Sequence, residues 1–261
     1  MSATNNNQLV FINSSQSNTE SSNIDTFYLA NPLFAQRGNR IYCELMEAEI
    51  PVSWYTIDAE NDALVLTVNS AQHSIQLTHQ NYNINQLISE INAKFSGNSS
   101  FSLLASFNSQ TNKIKLSLSS SSNFTSLSIH ESTTCLKICG FVKSQAGSLN
   151  NQSAEITSQN VINLNRTMNV YVKTNLKTRN INAKGELDST IAKIGVNKQP
   201  GEVIHYDNFQ GVKFMLANRF LDHLEITLED DEHKKLNLNG LEYHITFAFV
   251  YGKEELQPYI D

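Results

Sequence analysis

Apolar and polar positions alternate in short runs over most of the chain. Residues 40–50 give the clearest case. Ile41, Cys43 and Leu45 fall on one face, and Tyr42, Glu44 and Met46 on the other. A period of two predicts a half-buried strand, and Pro51 is expected to end it because proline cannot donate to a ladder. Residues 9–12 and 26–29 predict two earlier strands, the second closed by the turn signal Asn31-Pro32. Towards the C-terminus, residues 170–172, 202–206, 212–216, 221–228 and 241–250 also read as strands. In these, Leu224, Ile226 and Leu228 share one face, as do Tyr243, Ile245, Phe247 and Phe249. His244, Thr246 and Ala248 take the other face of the last strand, and His244 is expected to be partly buried. Asn239-Gly240 before it has hairpin chemistry.

The pattern changes between residues 58 and 151. Residues 63–68 and 73–78 predict two strands around Asn69-Ser70. A helix follows, with Leu87, Ile88, Ile91 and Phe95 on one side, Asn83 or Asn85 as cap and Gly97 as stop. Residues 101–107, 113–118 and 127–130 predict further strands, and 134–141 a short helical turn. Residues 58–61 and 147–153 are polar and read as connections. The expected organisation is a mainly β chain: a jelly-roll β-sandwich in two parts, 1–57 and 152–261, with a small α+β domain, 58–151, inserted between them. A Greek-key barrel or an immunoglobulin-like sandwich would leave much the same strand pattern.

Composition narrows the function classes. Only 17% of residues are charged and the net charge is −6, while Ser and Asn each supply roughly a tenth of the chain. Such a surface is polar through hydroxyls and amides. It argues against a nucleic-acid-binding surface running the length of the molecule, and no nucleic-acid partner is expected. No apolar run approaches the roughly 18 residues of a membrane span. Residues 1–8 lack the basic-then-apolar order of a secretory signal and read as an arm or a frayed end. Cys43, Cys135 and Cys139 are odd in number and show no disulfide framework, which fits a reducing compartment. Asn-x-Ser/Thr triplets at Asn13, Asn98, Asn123, Asn151 and Asn165 are expected by chance in this composition.

Candidate chemistry is sparse. Cys135 and Cys139 stand four apart near His130, but structural zinc wants four ligands, so two buried thiols are expected. The seven histidines, His73, His79, His130, His205, His223, His233 and His244, include no His-x-His pair of the cupin type. The run Glu229-Asp230-Asp231-Glu232 is expected to be a solvated turn rather than a calcium site. Lys173, Lys177, Arg179 and Lys184, with Arg166 close by, form a loose basic stretch in which only Tyr171 is available for stacking. Asp58 and Glu60 make a carboxylate pair that nothing marks as acid and base. There is no nucleophile elbow, phosphate-binding glycine loop or zinc-protease motif. The expectation is a protein that is not an enzyme, with no catalytic, cofactor-binding or metal residues and no cofactor.

Three stretches, in order, carry a resemblance. They are Ala48-Glu49-Ile50-Pro51-Val52-Ser53-Trp54-Tyr55; Tyr82-Asn83-Ile84-Asn85-Gln86-Leu87 leading into Ile88-Ser89-Glu90-Ile91-Asn92; and Leu187-Asp188-Ser189-Thr190-Ile191-Ala192-Lys193-Ile194 continuing through Gly201-Glu202-Val203-Ile204-His205-Tyr206 to Leu236-Asn237-Leu238-Asn239-Gly240. They resemble the penton, or minor capsid, proteins of virophages, Polinton-like elements and related large DNA viruses. The resemblance implies a single jelly roll with an insertion and a homopentamer at each icosahedral fivefold vertex. It also implies contact with the major capsid protein, synthesis in a host cytoplasm and residence in the virion. A host-attachment or carbohydrate-binding β-rich module is the alternative, and exposed aromatics on the insertion would favour it.

Overall fold

The computed structural model describes residues 7–18, 24–97, 100–178 and 188–253. Strands β1 (Asn7–Asn13), β2 (Asp25–Phe34) and β3 (Asn39–Pro51) come first. Then follow β4 (Ala63–Val68), β5 (Ala71–Gln76), helix α1 (Ile84–Phe95), β6 (Ser102–Asn108), β7 (Lys113–Ser119), β8 (Leu127–Ile129), helix α2 (Leu136–Cys139), β9 (Ser148–Asn150) and β10 (Ser153–Thr157). The chain closes with β11 (Asn169–Thr174), β12 (Thr190–Gly195), β13 (Val203–Asp207), β14 (Phe214–Met215), β15 (Phe220–Glu229) and β16 (His244–Lys253). It divides into two compact units, Met1–Trp54 with Thr167–Asp261, and Tyr55–Arg166.

The first unit is a jelly roll. One sheet has the order β1-β16-β3-β13, with β14 also on β3, and the other has the order β12-β11-β15-β2. Within the unit the outermost strands pair with each other, β1 with β16 and β2 with β15. The inner strands follow suit, β3 with β13 and β11 with β12, all antiparallel. Nested antiparallel pairs folded over one another are the double Greek key. The apolar faces meet in one core that includes Leu33, Ile41, Leu45, Ile50, Val172, Leu224, Ile226, Phe247 and Phe249.

Irregularities in this unit explain where strict alternation misleads. On β3 the buried set Ile41, Cys43, Leu45 resumes at Ala48 and Ile50. The phase changes because β16 pairs Phe247 with Leu45 and Thr246 with Glu47, leaving Met46 as a bulge. Without it, one face of the strand's second half would turn outward. Pro51 is the last residue of β3, as expected, and pairs with Val203 beyond the last β16 partner at Glu49. Asn31-Pro32, by contrast, does not close β2, which runs on to Phe34. β2 is an edge strand whose register shifts opposite Leu221 and His223, and proline is tolerated at such a place. Asn239 and Gly240 adopt left-handed φ values of 50° and 82°, but they make no hairpin. β15 and β16 lie in different sheets, so the turn carries the chain across the sandwich. Residues 212–216 yield only the two-residue β14, and His244 is exposed, on the outward face of β16.

The second unit has its own core, with Leu64, Leu66, Leu87, Ile91, Ile114 and Leu116 fully buried. It holds a three-stranded sheet, β5-β4-β8, and a four-stranded sheet, β6-β7-β10-β9. Asn69 and Ser70, with φ of 49° and 67°, form the tight β4–β5 turn. Asn83 caps α1 through a reciprocal box with Gln86. Helix α1 buries Leu87, Ile91 and Phe95, and its Asn92 side chain exchanges two hydrogen bonds with the backbone of Ala105 on β6. Gly140 ends α2 at φ 75°, and a Cβ there would meet the Asn160 carbonyl oxygen at 2.4 Å.

The unit boundaries fall at Tyr55 and Arg166 rather than at 58 and 151. Residues 147–153 are not a connection. β10 pairs along β7 from Ser153–Ser119 to Thr157–Lys115, and its Ala154 and Ile156 enter the second core. Arg166 then ion-pairs with Asp58, holding the two ends of the unit together.

Candidate assembly surfaces

The residues singled out for chemistry are occupied in structural contacts. Cys135 and Cys139 are fully buried with their sulfurs 3.7 Å apart. The hydrogen bond from Cys139 and burial both raise the Cys135 thiol well above its ordinary pKa, so it stays protonated. His130 instead touches Gln72 and Ser132, at 2.8 Å each. His79 sits 2.9 Å from Asp62, His205 3.4 Å from Glu49 and His223 2.7 Å from Asp222. His73 stands edge-on to Phe101. Among the described residues no group of three or more His, Cys, Asp or Glu is placed to hold a metal ion. Arg166 also reaches Glu60, so the Asp58–Glu60 pair is an ion-pair acceptor and Arg166 leaves the basic stretch. Lys173 pairs with Glu229 at 2.8 Å, while Arg179 and Lys184 lie outside the described residues.

The acidic run is not a solvated turn. Asp230 is buried, and its carboxylate accepts the amides of Glu232 and Lys234. Asp231 accepts the Met168 and Asn169 amides and the Asn169 side chain, at 2.7, 3.0 and 2.6 Å. It thereby latches the β15–β16 connection to the start of β11. Burial alone would raise the Asp231 carboxyl, but these three hydrogen bonds outweigh it and hold the pKa below its ordinary value.

The outward faces of the jelly roll tell more. β1, Asn-Gln-Leu-Val-Phe-Ile-Asn, is an uncharged edge strand. Val10 and Ile12 turn inward, while Leu9 and Phe11 are 52% and 71% exposed. Nothing of the usual kind blunts this edge: no proline, no lysine, no bulge. β2, by contrast, has Pro32 and a register shift.

The opposite edge of the same sheet carries the loop between β13 and β14. Its frame is Asn208. The Asn208 amide donates to Met46 O, and its side chain donates to Glu44 Oε1 and Val212 O and accepts from the Val212 amide. Glu44 is itself buried, with Lys213 Nζ 3.6 Å away. Burial first, and the Glu44 charge second, push the neighbouring Cys43 thiol upward. This fastened loop presents Phe209 at 93% exposure, with Val212 beside it at 45%. Sequence pattern could not single out Phe209, because one aromatic in a polar loop has no period.

In the second unit Tyr82, Phe95, Phe101, Phe124 and Phe141 are buried core residues. Among its described aromatics only Tyr55 is exposed, and Phe107 is half-buried. No helix among the described residues is long and apolar enough to cross a membrane.

No protein-family model matches the sequence, and no curated protein sequence matches it. Among solved structures, the chain is similar to the mavirus penton protein, with 8% identity and a TM-score of 0.47 over 94% of this chain and all of that one. It is also similar to a chain of the Sputnik virophage seen by cryo-EM, with 10% identity and a TM-score of 0.42 over 94% of this chain and 97% of that one.

Proposed function

We propose that the chain is a structural virion protein, a penton subunit whose homopentameric ring fills the fivefold vertices of an icosahedral capsid and meets the major capsid protein there. The observation that carries this reading is the pair of unlike apolar features at opposite edges of one sheet, Leu9 and Phe11 on β1 and Phe209 and Val212 on the β13–β14 loop. A two-fold dimer needs one self-complementary patch. Two different patches on opposite edges suit a head-to-tail contact, which closes into a ring when the rotation per subunit divides a full turn. The number five and the capsid partner come from the motif resemblance. The proposed role is architectural, with no reaction to catalyse.

The contact is modest. Burying these four side chains removes roughly 500 Å² of apolar surface, or about 12 kcal/mol at 25 cal/mol per Å². Association costs about 4–15 kcal/mol in lost freedom. Rings of the isolated chain therefore form at high concentration, and the capsid partner stabilises them.

Native mass spectrometry across a concentration series, alone and with co-expressed capsid protein, tests this. Phe11→Asp and Phe209→Asp should each abolish rings. Mixed together they should give only a dimer, because one intact edge and one intact loop remain between them. Rings that survive both substitutions, or a stable two-fold dimer of the unaltered chain, would refute the reading.

A further inference from the structure

We infer that one end of the jelly roll binds the phosphate backbone of single-stranded nucleic acid. Basic residues far apart in sequence converge there. Arg37 lies in the β2–β3 turn and Arg40 is the second residue of β3. Arg219 precedes β15, Lys177 follows β11, and Lys253 closes β16 opposite Asn39. Backbone contacts tie these segments together. The Ala217 amide donates to Lys177 O at 2.8 Å, Arg40 Nη1 donates to Ala217 O at 3.1 Å, and the Ala35 amide donates to Arg219 O at 2.8 Å. Asp222 and, in the β11–β12 connection, Asp188 are described carboxylates at this end, while Glu44 and Glu225 stand midway along their strands. The far end gathers Glu47, Glu49, Glu202, Glu242 and the 229–232 run, with Lys173, Lys193, Lys198, Lys234 and Lys235 among them. Among the described residues, a chain of net charge −6 thus carries a charge asymmetry, and its basic end is complementary to a polyanion.

Aromatic groups interleave with these cations. Phe34 and Phe220 are direct cross-strand partners, 63% and 52% exposed, next to Arg219 and close to Arg37. Tyr28, 69% exposed, continues the surface beside His223. Flat aromatic faces among arginines are what unstacked bases need. A bilayer would need apolar residues at the projecting tips. Among the described residues the tips Gln36-Arg37-Gly38-Asn39 and Ala217-Asn218 have nothing to insert. Composition argues only against a basic surface along the whole molecule, and this patch is confined to one end. The inference does not depend on ring formation.

Fluorescence anisotropy of a labelled mixed-sequence DNA strand of about 20 nucleotides, longer than typical single-strand sites, tests it on the full chain. If four phosphates are neutralised, log K should fall with log salt at a slope of about −3, roughly a 50-fold loss from 50 to 200 mM. Arg37→Glu with Lys177→Glu should bring the slope to about −1.4. The control pair Lys198→Glu with Lys235→Glu, exposed residues at the far end of the same unit and equal in charge change, should leave it near the original value. Phe220→Ala should weaken single-strand binding about fivefold or more, and a duplex of the same sequence less. Three results overturn the inference: no binding at low salt, equal losses from both charge pairs, or capture by phosphatidylserine vesicles without capture of the oligonucleotide. Circular dichroism of each variant separates lost binding from lost folding.

Discussion

Phe247 is the position at which the strand pattern makes its sharpest energetic claim. The side chain is fully buried on β16, between Val10 of β1 and Leu45 of β3, and its ring stacks on Phe249 at 6.1 Å. Truncation to alanine removes most of a side chain that buries roughly 150–250 Å², which at 25 cal/mol per Å² is about 4 kcal/mol after the retained methyl is discounted. The cavity adds to this, and observed Phe→Ala costs run about 3–5 kcal/mol. A domain of ordinary stability has only about 5–15 kcal/mol in total. Phe247→Ala should therefore shift the urea midpoint of the first unit by about 2 M, for a slope near 2 kcal/mol per M.

The lone tryptophan makes this measurable in one unit. Trp54 packs against the jelly-roll core and the second unit has no tryptophan, so intrinsic fluorescence follows the first unit. Phe247→Leu should cost about 1.5 kcal/mol or less, since most of the volume is kept. Phe11→Ala, on the neighbouring strand but exposed, should fall within about 0.5 kcal/mol of the unaltered chain. If Phe247→Ala costs under about 1 kcal/mol, or no more than Phe11→Ala, the inward face of β16 is not where the packing energy lies.

The latch at Asp231 gives an acid-dependent stability. Its folded pKa lies below that of an unfolded aspartate, about 3.9, so its contribution is full above about pH 4 and is lost as pH falls through the folded value. Asp231→Ala should cost about 2 kcal/mol at neutral pH, and Asp231→Asn should flatten the acid limb of a stability–pH curve; unchanged acid limbs would remove the latch. Residues 55–166, expressed alone, should give a cooperative melt because they enclose their own core; a non-cooperative melt would make the second unit dependent on the first.

How much of this was legible in the sequence follows from the range of the forces involved. Inward faces such as Leu224, Ile226, Leu228 and Ile245, Phe247, Phe249 were readable because period two is local. The Asn83 cap and the Asn69-Ser70 turn were readable because their hydrogen bonds or backbone angles involve near neighbours. Pro32 misled because what decides whether a proline ends a strand is the presence of a partner on its N–H side, a tertiary fact. The second unit's end was missed because residues 147–153 are polar, while Ala154 and Ile156 show their role only once β10 is laid on β7. The acidic run was misread for a similar reason, since Asp231 finds its donors on a strand some sixty residues away in the chain.

Averages over the sequence conceal surfaces in the same way. A charge fraction of 17% and a net charge of −6 describe the sum, whereas recognition depends on where each charge stands. In a jelly roll, alternate connections emerge at opposite ends of the strands. Residues from turns at one end are therefore separated in sequence by the whole length of a strand pair. Arg37, Lys177 and Arg219 are neighbours only because the β2–β3, β11–β12 and β14–β15 connections share an end. No sequence window of practical length contains them together. The same geometry sets β1 and the Phe209 loop on opposite edges of one sheet, so a single chain can present unlike lateral surfaces without any single segment that looks like an interface. In the proposed assembly the edges would supply head-to-tail contacts and one end the charge, and the two can be altered independently because they share no side chain.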